Sequence, residues 1–212
     1  MQRTEAYERF KERLFARVLQ PGQFVSQREL AELVGVSEGP MREALKRLEA
    51  EALVRLIPQR GVQVAEVSAA LIRDAFGLRL ALEAAAVRHF TRTASDGQLD
   101  EMENRFQRIL SRLSRKRDPS LLDMALESDL RLHETMIESL GNALISEVYR
   151  VNHDKIRLIR LNSRFTFDRV EAAVAEHLAI IAGLRARDAD AAIAALERHL
   201  DVSLRRSLGI ME

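Results

Sequence analysis

The stretch Ser26–Ala50 reads SQRELAELVGVSEGPMREALKRLEA, and its punctuation decides the fold of the N-terminal third of the chain. Ser26 followed three residues later by Glu29 is a capping box, a pattern that satisfies two N–H groups at a helix start. Leu30, Ala31, Leu33 and Val34 continue that helix, and Gly35 breaks it. Ser37 then caps a second helix, with Pro40 in its first turn, where a missing N–H is harmless. Ala44, Leu45, Leu48 and Ala52 recur at helical spacing and mark the inward face. Glu38, Gly39, Arg42 and Lys46 point outward near the start.

The flanks complete a motif. Upstream, residues 4–19 place Tyr7, Phe10, Leu14 and Val18 on one helical face, and Pro21-Gly22 is expected to end that helix. Downstream, the β-like runs LVRLI (53–57) and VQVAEV (62–67) are separated by Pro58, Gln59, Arg60 and Gly61, which suits a hairpin. Helix, helix, turn, helix, hairpin is the order of a winged helix-turn-helix. Its third helix would read DNA, and Arg60 would sit at the wing tip. The alternative from pattern alone is a surface helix with ordinary charges.

From Ser68 onward no strand pattern appears. Six helices are expected, at about 68–92, 95–114, 120–140, 142–161, 167–187 and 189–208. Their breaks fall at Ser95-Asp96-Gly97, Asp118-Pro119, Gly141-Asn142, Ser163 and Arg187-Asp188. Connections this short predict an antiparallel helical bundle. The fold class is therefore mainly α: a winged domain over residues 1–67 and an all-helical domain over 68–212.

Composition narrows the chemistry. The 212 residues are 47% apolar and 5% aromatic, which supports a real core built from helices. There is no cysteine, so disulfides, thiolate metal sites and Cys nucleophiles are excluded. Any metal must use His and carboxylate. No apolar run approaches the roughly 18 residues of a membrane span, and the charged N-terminus lacks a signal peptide's apolar core. A cytoplasmic protein without a membrane partner is the expectation. Net charge is +1, with 11 basic and 10 acidic residues up to Glu66 and 22 of each beyond it. DNA binding would have to rest on local placement of charge.

Polar residues interrupt the apolar stripes of the bundle. Asp129 and His133 lie four apart on the stripe of Leu122, Ala125, Leu126, Leu132, Met136, Ile137 and Leu140. A lone buried carboxylate would cost several kcal/mol unless paired, hydrogen-bonded or metal-bound. His177 falls on the stripe of Val170, Val174, Ile180, Ile181 and Leu184. His199 falls on or beside that of Ile193, Leu196, Leu200 and Leu204. A single inward His is usually a satisfied core residue. Three with an inward Asp point to a divalent cation, and this ligand set suits zinc or nickel better than magnesium. A bundle whose polar residues pair among themselves is the alternative. His89 and His153 lie at stripe edges and read as structural or exposed. Arg79 lies in the stripe of Ala75, Leu82 and Ala86. It would either pair with Glu83, four residues on, or clamp a ligand carboxylate near the metal. Asn152 is a second candidate for ligand contact.

The two halves together resemble one family. LQPGQFVSQRELAELVGVSEGPMREALKRLEAEALVRLIPQRGVQV (19–64) resembles the DNA-binding domain of GntR-family bacterial regulators, with its PG, its REL-A-x-x-x-G-V-S run, P-x-R-E-A-L-x-R-L-E, and the RG of the wing. The remainder resembles the all-helical FCD effector domain of the FadR subgroup, and six helices rather than seven match its VanR-like branch. In that family an Asp and a His four apart, then two later His, hold a metal. Asp129, His133, His177 and His199 match one by one.

The resemblance implies a homodimer that binds an inverted-repeat operator in double-stranded DNA, controlled by a small organic acid bound in the bundle. Arg28, Arg42, Lys46 and Arg60 match family positions that contact DNA. Ser37, Glu38, Gly39 and Gly61 complete the expected DNA-facing set. The family usually carries Arg then Thr where this chain has Glu38 and Gly39, so operator sequences do not carry over. A small carboxylate effector would meet the metal together with Arg79 and Asn152. Two rivals remain at this stage: a metal-dependent hydrolytic enzyme, and a regulator sensing the metal itself. Against the enzyme, Glu134 and Glu176 adjoin ligand histidines yet are expected to point elsewhere, and no other inward carboxylate stands out as a base.

Overall fold

A computed structural model describes residues 2–162 and 166–210. The N-terminal elements are α1 (Gln2–Phe15), β1 (Phe24–Val25), α2 (Gln27–Val34), α3 (Glu38–Ala50), β2 (Val54–Ile57) and β3 (Gly61–Val64). The strands form an antiparallel sheet in the order β1-β3-β2. The capping box forms as expected: Glu29 N–H donates to Ser26 Oγ at 3.1 Å, and Ser26 N–H donates to Glu29 Oε2 at 2.9 Å. Gly35 ends α2 in the left-handed conformation, φ 73°. Phe10, Leu14, Leu30, Leu45, Leu48, Val62 and Val64 build the core of this region, and Leu158 joins it.

Four local expectations are corrected. The first helix stops at Phe15, not at Pro21-Gly22, because Arg17 turns the chain at φ 62° and leaves Val18 48% exposed. Ala52 does not face inward. It lies beyond α3 at φ 58° and is exposed. Ser37 occupies the N-cap position of α3, but its side chain makes no cap bond. β1 is a short third strand that pairs Phe24 with Gln63 and Val25 with Val62; two residues are too few to leave a periodic signal. Gly61 fits where β3 passes β1, since a Cβ there would lie 2.8 Å from the Val25 carbonyl oxygen.

Six further helices follow: α4 (Ala69–Thr93), α5 (Asp96–Leu113), α6 (Ser120–Glu138), α7 (Ala143–Arg160), α8 (Phe167–Arg185) and α9 (Ala189–Ser207). They match the expected six within a few residues and form the helical bundle. Ser95 and Gln98 make a second capping box, and the side chains of Thr166 and Asp188 cap α8 and α9. Gly141 and Arg187 turn between helices at φ 60° and 56°. The expected break at Ser163 lies outside the described residues. α8 and α9 approach closely at Gly183, where a Cβ would meet the backbone N of Ala192 at 2.6 Å.

The chain divides into two compact units. One comprises the chain through Ile72 with the segment from Val151 that ends α7. The other comprises Arg73–Arg150 and the chain from α8 onward. Within the first unit, Lys11 on α1 pairs with the buried Asp154 of α7 at 2.6 Å. No described helix is long and apolar enough to cross a membrane.

Candidate metal centre and DNA-reading surface

Three helices of the bundle bring four buried side chains to one point. α6 supplies Asp129 and His133, α8 supplies His177, and α9 supplies His199. One ligand atom from each lies within 4.8 Å of all the others. Asp129 Oδ1 is 3.0 Å from His177 Nε2, 3.8 Å from His133 Nε2 and 3.9 Å from His199 Nε2. His133 Nε2 and His177 Nε2 are 3.3 Å apart. Donors bound at about 2.0–2.1 Å to one ion sit roughly 3.0–3.4 Å from their neighbours. The observed spacings begin in that range and extend past it, all within 4.8 Å.

The protonation pattern favours a cation at this point. His199 Nδ1 is 2.8 Å from Glu176 Oε2. Burial raises the Glu176 pKa, and in its ionised form the carboxylate only accepts, so Nδ1 then carries the proton and Nε2 presents a lone pair to the centre. His199 Nε2 has no hydrogen-bond partner among the described residues. On the far side of His133, Nδ1 lies 2.7 Å from Glu83 Oε2, an approach oblique to the ring N–H but electrostatically close. Burial holds His133 below the ordinary imidazole range, with Glu83 opposing and Arg79 adding to the shift. Burial, then the neighbouring His177, His133 and Arg79, pushes His199 further down. Neutral imidazoles and one carboxylate fit a divalent ion. His177 stacks on Phe106 with ring centroids 4.9 Å apart, and its Nδ1 has no partner among the described residues.

Two carboxylates stand behind the histidines; the expected pairing of Glu83 with Arg79 forms, but neither carboxylate's contact with a histidine was anticipated. Glu83 is fully buried on α4. Its Oε1 accepts from Arg79 Nε at 2.6 Å and from the Tyr149 hydroxyl at 2.8 Å. Burial alone would raise its pKa, but Arg79 and His133 outweigh that and hold it at about 2. Glu176 was expected to point away from the ligands. It does turn away from its neighbour His177, and in doing so reaches His199 on the adjacent helix. Only helix packing, which has no sequence period, reveals either contact. The i,i+4 spacing of Arg79 and Glu83 was the one available signal.

Arg79 does more than pair with Glu83. It is 2% exposed, and its Nη1 has no hydrogen-bond partner among the described residues. Burial works against its charge, yet the Glu83 carboxylate, with Asp129 beyond it, holds it protonated. Its field also reaches His133 and His199. Asn152 is buried on α7, three residues beyond Tyr149. His89 and His153 are half-buried and lie outside the cluster.

The expected DNA-facing residues lie on α2, α3 and the hairpin. Arg28, Ser37, Glu38, Gly39, Arg42, Lys46 and Arg60 are all exposed. Arg28 pairs with Glu32 at 3.0 Å and also feels Glu38, which places it beside the α3 N-terminus. Lys46 pairs with Glu43 at 2.7 Å. Arg60 stacks over the Phe24 ring at 4.6 Å. Such surface pairs are worth about 0–1 kcal/mol and exchange readily for phosphate contacts. Gly61 is half-buried beside β1, so its glycine serves the sheet.

Comparison with known proteins agrees with this fold. Residues 2–64 match the family model described as bacterial regulatory proteins, gntR family, and residues 74–202 match that of the FCD domain. The HTH-type transcriptional repressor RspR of Escherichia coli is 28% identical over 189 residues, covering 86% of this chain and 78% of that protein. The solved structure of E. coli McbR/YncC superposes with a TM-score of 0.78 at 17% identity, covering 99% of this chain and 98% of that one. A metal-free FCD domain of TM0439 superposes at 0.58 and 24% identity, covering 69% of this chain and 97% of that one. The relatives are regulators, not enzymes, which removes the hydrolase reading. The chain belongs to the GntR family of bacterial transcriptional regulators, with a winged helix-turn-helix domain followed by an FCD domain.

Proposed function

We propose that the chain is a ligand-responsive repressor in which residues 1–67 read an operator and residues 68–212 sense a small organic acid at a metal site. The observation that carries this reading is the fully buried Arg79, whose Nη1 has no hydrogen-bond partner among the described residues and belongs to a guanidinium within the field of Asp129, His133 and His199. A buried N–H without an acceptor is costly, and a carboxylate would supply one in bidentate form. Asp129, His133, His177 and His199 would hold zinc or nickel. A divalent ion with one carboxylate and three neutral imidazoles keeps a net positive charge, which draws an anion to the same place. Arg79 is the proposed effector contact.

On DNA, Arg42 and Lys46 reach from α3 toward the major groove, with Arg28 and Arg60 on the flanking backbone. Glu38 meets base edges, where a carboxylate accepts from the cytosine amino group. A homodimer on an inverted repeat is supported by exposed apolar residues of the bundle, Leu78 on α4 with Leu144 and Val148 on α7. Ligand control requires different effector affinities in the DNA-competent and DNA-incompetent states.

The test is a thermal-shift screen of small carboxylates and hydroxycarboxylates on metal-loaded protein, since a specific binder raises the midpoint by mass action. A hit is expected to lose its effect in both Arg79→Met and His177→Ala, with metal retained only in Arg79→Met. An effector that is uncharged, or binds chelated protein equally well, would refute this account of the site.

A further inference from the structure

Among the buried groups, Glu83 stands apart because each of its two oxygens serves a different anchor of the proposed site. Oε2 lies 2.7 Å from His133 Nδ1. Oε1 takes the Arg79 Nε–H at 2.6 Å and the Tyr149 hydroxyl at 2.8 Å. The residue is 0% exposed, so no water can take its place. We propose that Glu83 is the positioning residue common to both anchors, one oxygen keeping His133 in the tautomer that ligates metal and the other aiming the Arg79 guanidinium at the effector. The proposal rests on the reading of Asp129, His133, His177 and His199 as a metal site.

The chemistry follows from the acceptor count. A carboxylate offers two acceptor oxygens and no donor. With a proton on Nδ1, His133 presents a bare Nε2 toward Asp129, 3.8 Å away, and His177, 3.3 Å away. Arg79 spends Nε on Glu83 and keeps Nη1 unpartnered among the described residues. A glutamine at position 83 has the same shape, but one oxygen becomes an NH2. It cannot accept from His133 and Arg79 together. If the NH2 faces His133, the imidazole moves its proton to Nε2 and loses its ligating lone pair. If it faces Arg79, two donors meet.

Glu176 provides the internal contrast. It lies 2.8 Å from His199 Nδ1 in hydrogen-bond geometry, where Glu83 Oε2 approaches His133 obliquely, but its side chain is 23% exposed. Water can replace it, so its loss should matter less.

The test uses the full chain and Ni2+ alone, followed by isothermal titration. Glu83→Gln is expected to bind about 10- to 100-fold more weakly, the range for removing a partner behind a metal-bound histidine. Glu176→Gln should change affinity less than Glu83→Gln does. Because Glu83→Gln also strands the Arg79 charge, the double variant Arg79→Met/Glu83→Met, which leaves His133 Nδ1 no acceptor, is measured beside it. It removes both charges and keeps the fold, and it should remain as weak. In metal-free protein, ring 15N shifts should place the His133 proton on Nδ1 in wild type and on Nε2 in the double variant. Wild-type affinity in the double variant, or an unmoved proton, overturns the proposal alone. Wild-type protein that binds no Ni2+ overturns the underlying metal reading, and the proposal falls with it.

Discussion

A carboxylate on the inward face of α6 is unfavourable by several kcal/mol if left alone, and in the proposed site the imidazoles around Asp129 offset that cost together with a cation. His199 shows why: its Nδ1 proton goes to Glu176, so its lone pair faces the Asp129 carboxylate. The same residue-by-residue logic applies to DNA. Arg42 is exposed in the first half of α3, and Arg42→Ala should weaken operator binding by about 1–3 kcal/mol with the fold intact. Anisotropy titrations on matched and mismatched operators check this. Relaxed preference at one base pair marks a base contact, uniform weakening marks a phosphate contact, and unchanged affinity removes α3 as the reading helix. Asp129, His133, His177 and His199 were legible in sequence because each interrupts an apolar stripe. Glu83 and Glu176 were not, because their contacts with His133 and His199 cross between helices.

At the scale of elements, caps and close approaches separate what holds a helix from what decorates it. Ser26 and Ser37 both precede helices with N-cap backbone geometry, but only Ser26 makes side-chain cap bonds. Ser26→Ala should cost about 1 kcal/mol, whereas Ser37→Ala should change little; urea midpoints measure both, and equal losses would contradict the assignment. Gly183→Ala sets two effects against each other. Helix propensity gains about 1 kcal/mol, while a methyl 2.6 Å from the Ala192 backbone N forces α8 and α9 apart, at about 1–3 kcal/mol. Net destabilisation is expected, and a variant more stable than wild type would show that the pair yields freely. Sequence located the bundle helices within a few residues because capping residues and turn breakers bracket them. It overran α1, since nothing about Arg17 announces a left-handed turn. The close approach at Gly183 left no trace beyond a glycine in a helical pattern.

At the scale of the molecule, the family assignment gives the chain a winged DNA-reading domain and an FCD bundle, and the proposed metal centre would make the bundle a sensor. Ligand histidines must be neutral to coordinate, and burial already disfavours their charged forms in His133 and His199. A metal that binds only the folded bundle also stabilises it, so chelation should lower the unfolding midpoint of wild type and leave His177→Ala unmoved. The most direct measurement is the metal content of untagged, purified protein, wild type beside His177→Ala, by elemental analysis. The expected result is one divalent ion per wild-type chain, zinc or nickel, and none in the variant. Metal-free wild type whose stability ignores chelators, or equal metal in both proteins, would contradict the site.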